Sequence, residues 1–174
     1  MSHYSNPLPA ASAVAVGASP GAMLALDLGQ HTGWALAYPR GPITSGTELF
    51  KAGRFEGGGM PLLRFVSWLS ELHDRAGPLT AVVFEEVRAH RGTAAAHTYG
   101  AFLGQLTAWC ELHHVPYHGV PVGTIKKHAT GRGNAGKAEV IAAMRIQGFD
   151  PADDNEADAL ALLQWALREE GEPK

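Results

Sequence analysis

"MLALDLGQHTGWAL", residues 23–36, joins strand-like patterning to a candidate functional residue. An apolar run ends at Asp27, a turn containing Gly29 follows at once, and residues 34–39 ("WALAYP") form a second apolar run. Two such runs joined by a tight turn predict a β-hairpin. A buried carboxylate without a partner is costly, so Asp27 should have a cation or hydrogen-bond donors beside it.

Beyond the hairpin, the sequence alternates between strand-like and helix-like segments. Further strands are predicted at residues 47–55 ("TELFKAGRF"), 80–87 ("TAVVFEEV") and 116–122 ("PYHGVPV"). Helices are predicted at residues 60–77, 92–115 and 153–171, a short helical turn at 123–131, and a helix at 134–148 with Asn134 as its N-cap and Gly148 as its stop. This alternation predicts an α/β fold with a mixed sheet.

Length and composition predict a single domain. The chain has 174 residues, and residues 1–22 contain no Lys, Arg, Asp or Glu. We therefore predict a disordered tail at 1–22, one domain at 23–170 and a short C-terminal tail at 171–174. No charged n-region with a long apolar core suggests a secretory signal, and no stretch is apolar enough to span a membrane. With one cysteine, Cys110, an intramolecular disulfide is excluded and a cytoplasmic location is expected.

The net charge of −3 excludes a generically basic nucleic-acid binder, but the charge is unevenly distributed. Residues 120–148 contain five Lys or Arg and one acid. Residues 150–158 contain five acids and no base. A basic segment is thus followed directly by an acidic one.

Three apolar segments each place acidic residues at one end. They deliver Asp27, the pair Glu85 and Glu86, and the cluster that opens the last predicted helix. If the first and fourth strands are adjacent and parallel, Asp27 and Glu85 lie near the same sheet edge, where a crossing helix can add Asp158. Strand alternation puts Glu85 and Glu86 on opposite faces without deciding which faces inward. An alternative for Asp27 is that it caps its own turn through the amides that follow it.

The acidic cluster of the last helix divides into two sets. Asp154, Asn155 and Asp158 share one helix face. Asp153 and Glu156 fit an N-cap and N3 pair, which is a structural role. Clustered carboxylates repel one another unless a cation intervenes, and oxygen-only ligand sets favour Mg²⁺ or Mn²⁺. Two such ions can activate water and stabilise the leaving oxygen in phosphodiester cleavage.

Four segments occur in the same order in a known family: residues 24–36, 82–87, 122–144 and 153–167. Together they resemble the RuvC-type Holliday-junction resolvases of the ribonuclease-H-like (retroviral-integrase-like) fold, which include small, diverged bacterial and phage members. The resemblance extends from Met23 to Arg168. It implies a mixed five-stranded sheet, with the first three strands antiparallel and the rest parallel, flanked by helices.

The resemblance also implies a function: an endonuclease that binds branched DNA as a homodimer and cuts with acidic residues and Mg²⁺, or Mn²⁺ as a substitute. By position, Asp27 matches the family's first-strand aspartate and Glu85 the glutamate at the end of its fourth strand. Asp158 matches the final aspartate of the family's D-x-x-D-A-L-A pattern. Lys126 and Lys137 match two lysines of the basic segment, which would neutralise phosphate near the scissile bond.

One position departs from the family pattern. The first acid of D-x-x-D falls on Asn155, where some members have His, so a neutral ligand is tolerated. Asn155 could ligate through its carbonyl oxygen, or Asp154 could reach in from one residue earlier. We favour Asp154 because a second metal ion needs anionic ligands. The expected metal ligands are therefore Asp27, Glu85, Asp154, Asn155 and Asp158, and the expected catalytic residues are Asp27, Glu85, Asp154, Asp158 and Lys137.

DNA contacts are expected from two basic segments. Residues 126–137 ("KKHATGRGNAGK") supply Lys126, Lys127 and Arg132, and residues 87–97 ("VRAHRGTAAAH") supply Arg91 just after the predicted catalytic strand. For Lys127 a solvated surface position is the competing interpretation. His31, in the turn after Asp27, is the histidine nearest the predicted site.

Three other interpretations compete with a junction resolvase. "DLGQHTG" resembles the first phosphate loop of actin and sugar-kinase ATPases, but those proteins need two such domains and a far longer chain. A second alternative is a catalytically weak or inactive branched-DNA-binding module of the same fold, which Asn155 favours. A third keeps the nuclease chemistry but acts on flaps, forks or replication intermediates.

Overall fold

The computed structural model describes residues 21–87 and 92–171. The strands are β1 (Ala22–Asp27), β2 (His31–Ala37), β3 (Ile43–Leu49), β4 (Leu79–Glu86) and β5 (Tyr117–Pro121). The helices are α1 (Met60–Ala76), α2 (Thr93–His113), α3 (Val122–Thr130), α4 (Lys137–Ile146) and α5 (Asp154–Gly171). In the described part of the chain no helix is both long and apolar enough to cross a membrane.

The strands form one sheet in the order β3-β2-β1-β4-β5. β1 pairs antiparallel with β2, and β2 antiparallel with β3. β4 pairs parallel with both β1 and β5. The predicted mixed five-stranded sheet is therefore confirmed. β1, β4 and β5 end at the same sheet edge, which we call the carboxyl edge.

Strand alternation builds one apolar core on each face of the sheet. Leu24, Leu26 and Phe84 pack with α1 and α2. Ala25 and Val83 pack with α3, α4 and α5. The small residues on this second face let α5 lie close to the sheet, which brings the acidic start of the helix near the carboxyl edge.

Several predicted boundaries were wrong, and the third strand was shifted most. It spans Ile43–Leu49, not residues 47–55, because Phe50 turns into the core and Gly53 starts a turn. β1 begins at Ala22, which is fully buried, one residue before the expected domain boundary. Residues 1–20 and 172–174 lie outside the described residues, so the predicted tails there stay predictions.

The predicted N-cap of the fourth helix was also wrong. α4 begins at Lys137 with Gly136 as N-cap, and Asn134 is exposed before it. The Gly136 amide donates to the Glu139 carboxylate at 2.7 Å, which caps the helix without Asn134. Gly148, at φ 92°, follows the helix as expected, since glycine tolerates this left-handed conformation.

Candidate active site

β1 and β4 place two carboxylates side by side at the carboxyl edge. Leu26 pairs with Phe84 in the parallel register, so the next residues along the two strands are Asp27 and Glu85. Neighbouring strands lie ~4.8 Å apart. Two acidic side chains on the same face of adjacent strands are therefore held within one another's electrostatic range.

Alternation along β4 settles which glutamate faces the site. Ala81 and Val83 lie in the core beneath α5, and Glu85 continues this series. Glu86 belongs with Val82 and Phe84, on the face covered by α1 and α2. Glu85 is thus the inward glutamate, on the same face as Asp27.

α5 approaches the sheet closely enough to add a third carboxylate. A Cβ atom placed on Gly33 of β2 would lie 1.9 Å from the carbonyl oxygen of Asn155, so only glycine permits this approach. Two side chains of β3 hold the start of the helix: Ser45 Oγ donates to Glu156 Oε1 and Thr47 Oγ1 to Asp153 Oδ1, each at 2.7 Å.

The start of α5 is capped largely as its sequence predicts. Asp153 Oδ1 accepts the Glu156 amide at 2.9 Å, the expected N-cap contact. Glu156 Oε2 accepts the Ala152 amide at 2.8 Å, one residue before the expected partner. Asp153 and Glu156 therefore have a structural role, which leaves Asp154, Asn155 and Asp158 on the remaining side of the turn.

The pKa shifts of Asp27, Glu85 and Asp158 show that these three acids interact electrostatically and form one group. Burial, then the charges of Glu85, Asp158 and Asp154, hold the pKa of Asp27 well above its ordinary value. Burial, followed by the charge of Asp158, raises the pKa of Glu85 to about 7. Burial is also the main cause that raises the pKa of Asp158 to about 6. The three partly buried acids therefore resist ionising together. We call them the carboxylate cluster.

Two lysines supply positive charge to this cluster. Lys126 on α3 lowers the pKa values of Glu85 and Asp158, although burial outweighs it. Lys137, at the start of α4, forms an ion pair with Asp154, and this hydrogen bond lowers the pKa of Asp154 and raises that of Lys137. Asp154 thus faces the site but is engaged by Lys137.

The turn after Asp27 is not closed by Asp27. Thr32 Oγ1 donates to the Gly29 carbonyl oxygen at 2.7 Å and lies 3.5 Å from the Gly29 amide. The alternative in which Asp27 serves as a turn cap is therefore not what the structure shows. The side chain instead points toward the other acids, which accounts for the pKa shift that they cause.

The donor set of the cluster fits a hard divalent cation. Carboxylate oxygens are the ligands that Mg²⁺ and Mn²⁺ prefer, and a cation would offset both the burial and the added repulsion that raise the three pKa values. Within the described residues no three His, Cys, Asp or Glu side chains already stand in a preformed metal cage. Mg²⁺ does not require one, because it commonly keeps several waters and uses one or two carboxylates with substrate phosphates.

No family model and no curated protein matches the sequence, but solved structures match the fold. Thermus thermophilus RuvC in complex with a Holliday junction substrate has a TM-score of 0.68 and 25% identity, covering 82% of this chain and 90% of that one. The chain has the RuvC-type resolvase fold.

Two further structures agree with this assignment of the fold. Another T. thermophilus RuvC structure has a TM-score of 0.65 and 27% identity, over 81% of this chain and 90% of that one. The yeast mitochondrial Holliday junction resolvase Ydc2 has a TM-score of 0.56 over 80% of this chain and 75% of its own. Its 12% identity shows a likeness of fold alone.

The residues predicted to bind DNA are distributed unevenly over this RuvC-type fold. Lys126 is partly buried beside the cluster. Arg132 is exposed and pairs with Glu139 at 3.0 Å. Lys127 lines a separate cleft of about 580 Å³ with Trp165. Arg91 lies outside the described residues.

His31 and two glycines of α2 are exposed. His31 is exposed at the start of β2. Gly100 and Gly104 of α2 are exposed, and a Cβ on either would meet no described atom within 4 Å. Their small size is therefore not needed for packing against the described part of this chain.

Sequence reasoning missed the residues that position the RuvC-type cluster. Gly33, Ser45 and Thr47 act on α5, which lies more than 100 residues further along the chain. Tyr99 of α2 donates from its hydroxyl to the Glu85 carbonyl oxygen at 2.9 Å and so supports the end of β4. A small residue in the middle of β2 was the one available signal, since glycine inside a strand often marks a close backbone approach.

Proposed function

We propose that this chain is a divalent-metal-dependent endonuclease that cuts branched DNA, with Holliday junctions as its main substrate. The observation that carries the proposal is the carboxylate cluster at the carboxyl edge of a RuvC-type fold. Its support from outside the chain is T. thermophilus RuvC, which was solved with a Holliday junction substrate.

In this proposal Asp27, Glu85 and Asp158 hold the metal ions, and Asp154 or Asn155 completes the second site. Bound Mg²⁺ or Mn²⁺ would supply a water activated for attack and stabilisation of the leaving oxygen. The partial burial of the cluster keeps the charges in a medium where they interact strongly.

Cations at the rim of the cluster would hold the DNA backbone. Lys126 and Lys137 carry positive charge beside the cluster, where the scissile phosphate would lie. Arg91, Lys127 and Arg132 would contact phosphates further from the cut. When DNA enters, Lys137 would exchange its bond with Asp154 for a phosphate oxygen, which would leave the Asp154 carboxylate available to a metal ion.

A homodimer is part of the proposal, because a four-way junction offers two equivalent strands to cut. The exposed face of α2 that contains Gly100 and Gly104 has room for a close helix contact with a second copy. A cytoplasmic location stays a prediction from the sequence.

One observation favours a second candidate, a branched-DNA-binding module with weak or no cleavage. Asp154 is already paired with Lys137, and its neighbour is Asn155 instead of an acid. If neither side chain serves as a ligand, the second metal site would have too little negative charge. Such a protein would still bind junctions through its cations.

Cleavage of a synthetic four-way junction distinguishes the two candidates. We expect the protein to nick the junction in Mg²⁺ or Mn²⁺, and Asp27→Asn to reduce the rate on the order of 10³-fold, because metal-ion stabilisation is worth several kcal/mol. Asp74→Asn, at an exposed site on α1, is the matched control and should cut normally. Cleavage rates measured on flaps, forks and linear duplex then rank the substrates.

The outcomes lead to different conclusions. Binding of junctions without nicking in either ion would support the binding module. Equal activity on linear duplex and junctions would contradict a structure-selective nuclease.

A further inference from the structure

Exposed apolar side chains are concentrated between the end of β3 and the first turn of α1. Of the five large apolar side chains that stand out as exposed in the described ranges, Leu49, Phe55 and Leu63 lie within residues 49–63. Phe55 is the most exposed, at 93%. A phenyl ring left almost entirely in water gains from any partner that covers it.

Phe55 is held on a built turn. The Glu56 amide donates to the Gly53 carbonyl oxygen at 3.1 Å, and the Gly53 amide donates to Glu56 Oε2 at 2.6 Å. Arg64 of α1 pairs with Glu56 and donates to the Lys51 carbonyl oxygen at 2.8 Å. These bonds tie both sides of the turn to α1, so the ring is displayed at a defined place. We call residues 53–56 the aromatic tip.

The aromatic tip carries positive charge next to its ring. The Arg54 guanidinium carbon lies 5.4 Å from the centroid of the Phe55 ring, within the range of a cation–π contact. Lys51 is also exposed, while the charge of Glu56 is balanced by its ion pair with Arg64. An exposed ring flanked by cations that pair with no acid in the described ranges suits a partner with flat aromatic groups and anionic groups close together.

The aromatic tip follows the end of β3, which lies at the carboxyl edge of the sheet. Leu49 at the end of β3 is opposite His31 at the start of β2, and the Phe50 amide donates to the Gln30 carbonyl oxygen at 2.8 Å. Gln30 belongs to the turn between β1 and β2, which directly follows Asp27. β3 is two strands from β1, a lateral separation of roughly 10 Å. The loop therefore starts at the edge where the scissile phosphate would be held.

We propose that the aromatic tip is a DNA-binding element in which Phe55 stacks on a base exposed at the branch point and Arg54 contacts an adjacent phosphate. The inference rests on the proposed function and adds a contact that the carboxylate cluster does not supply. A nucleic acid combines the flat π-faces of its bases with the negative charge of its phosphates. The ring and the cations of the aromatic tip match this combination. Stacking is available where base pairs are interrupted, so the tip would favour branched over continuous duplex.

The test is binding of a four-way junction with 2-aminopurine at the branch point, in Ca²⁺ so that the DNA stays intact. We expect Phe55→Ala to weaken junction binding about 5- to 100-fold and to abolish the fluorescence change of the probe, as loss of one stacked base predicts. Phe55→Trp should restore both. Arg54→Ala should reduce affinity and lower the salt slope by about one.

Leu112→Ala provides the control, since Leu112 is 76% exposed but lies near the C-terminal end of α2, at the opposite edge of the sheet. It should bind like the wild type. Wild-type binding by Phe55→Ala, with an unchanged probe signal, would overturn the inference and leave the proposed nuclease standing. Loss of self-association in Phe55→Ala with unchanged junction affinity would also overturn it, in favour of a contact between two copies. A wild-type protein that binds no branched DNA would refute both proposals.

Discussion

Asp27, Glu85 and Asp158 destabilise the folded chain when they are ionised without a cation. Their folded-state pKa values lie above the ordinary ones, so the folded state holds protons more tightly than the unfolded chain. Because folding is linked to proton binding, the stability of the fold is greatest at a pH below the ordinary pKa of these groups. It falls as the pH rises through their raised pKa. For Glu85 the window runs from 4.5 to about 7.

Replacing Glu85 by glutamine should therefore stabilise the metal-free protein at high pH. At pH 8 in chelator we expect Glu85→Gln to raise the free energy of unfolding by about 1–3 kcal/mol, with little difference at pH 4.5. Urea denaturation at the two pH values measures this. A Glu85→Gln variant that is less stable than wild type at pH 8 would contradict this expectation.

Protons and divalent ions should compete for the same three carboxylates. Calorimetric titration with Mn²⁺ should show strong binding at pH 8 and progressive loss as the pH falls through about 7 and then about 6, where Glu85 and Asp158 take up protons. At an ion concentration of 100 times Kd, bound metal should stabilise the fold by about 2.7 kcal/mol. An affinity that does not change between pH 8 and pH 5.5 would mean that the ion binds elsewhere.

Variants of the ion pair between Lys137 and Asp154 distinguish two roles for Asp154, that of a metal ligand and that of a residue that positions Lys137. If Asp154 is a metal ligand, Asp154→Asn should weaken Mn²⁺ binding, while Lys137→Met should strengthen it by freeing the carboxylate. If Asp154 only positions Lys137, both variants should reduce cleavage alike and should change ion affinity only slightly, through the single charge that each removes near the cluster. Measuring ion affinity and cleavage rate for both variants therefore decides the ligand set.

The strands and helices that matter most for the site could be predicted from the sequence, because their patterns are strong. The ends of β1 and β4 meet because parallel neighbours share an edge, and this rule predicts that Asp27 and Glu85 lie together on the condition that the two strands are adjacent and parallel, as they are in the structure. The third strand was misplaced because "ITSGTEL" is mostly polar and its pairing depends on β2. The face of Glu85 was undecidable locally, since both faces of β4 are apolar.

The contact between β2 and α5 lay beyond sequence reasoning because it joins residues far apart in the chain. Gly33→Ala tests it directly. A methyl group there would overlap the backbone of Asn155, so we expect a loss of about 1–3 kcal/mol in stability, as overpacking typically costs. Displacing α5 should also weaken ion binding through Asp158. Gly57→Ala, where a Cβ meets nothing within 4 Å, is the matched control and should change neither property.

We expect the distribution of charge over the chain to make DNA binding depend on a divalent ion. The net charge is −3, and the acids concentrate where the scissile phosphate would approach. Without a cation the ionised carboxylates would repel a DNA backbone, and the lysines beside them would only partly offset that repulsion.

Junction affinity should accordingly be much higher in Ca²⁺ than in chelator, at constant ionic strength and pH 8. Asp158→Asn should bind more tightly than wild type in chelator, because Asp158, with a pKa raised to about 6, carries a repelling charge at pH 8, and it should gain less from Ca²⁺. Gel-shift titrations of both proteins measure the difference. Equal wild-type affinity with and without the ion would mean that the DNA does not pass over the carboxylate cluster, since a phosphate cannot approach ionised carboxylates without losing affinity.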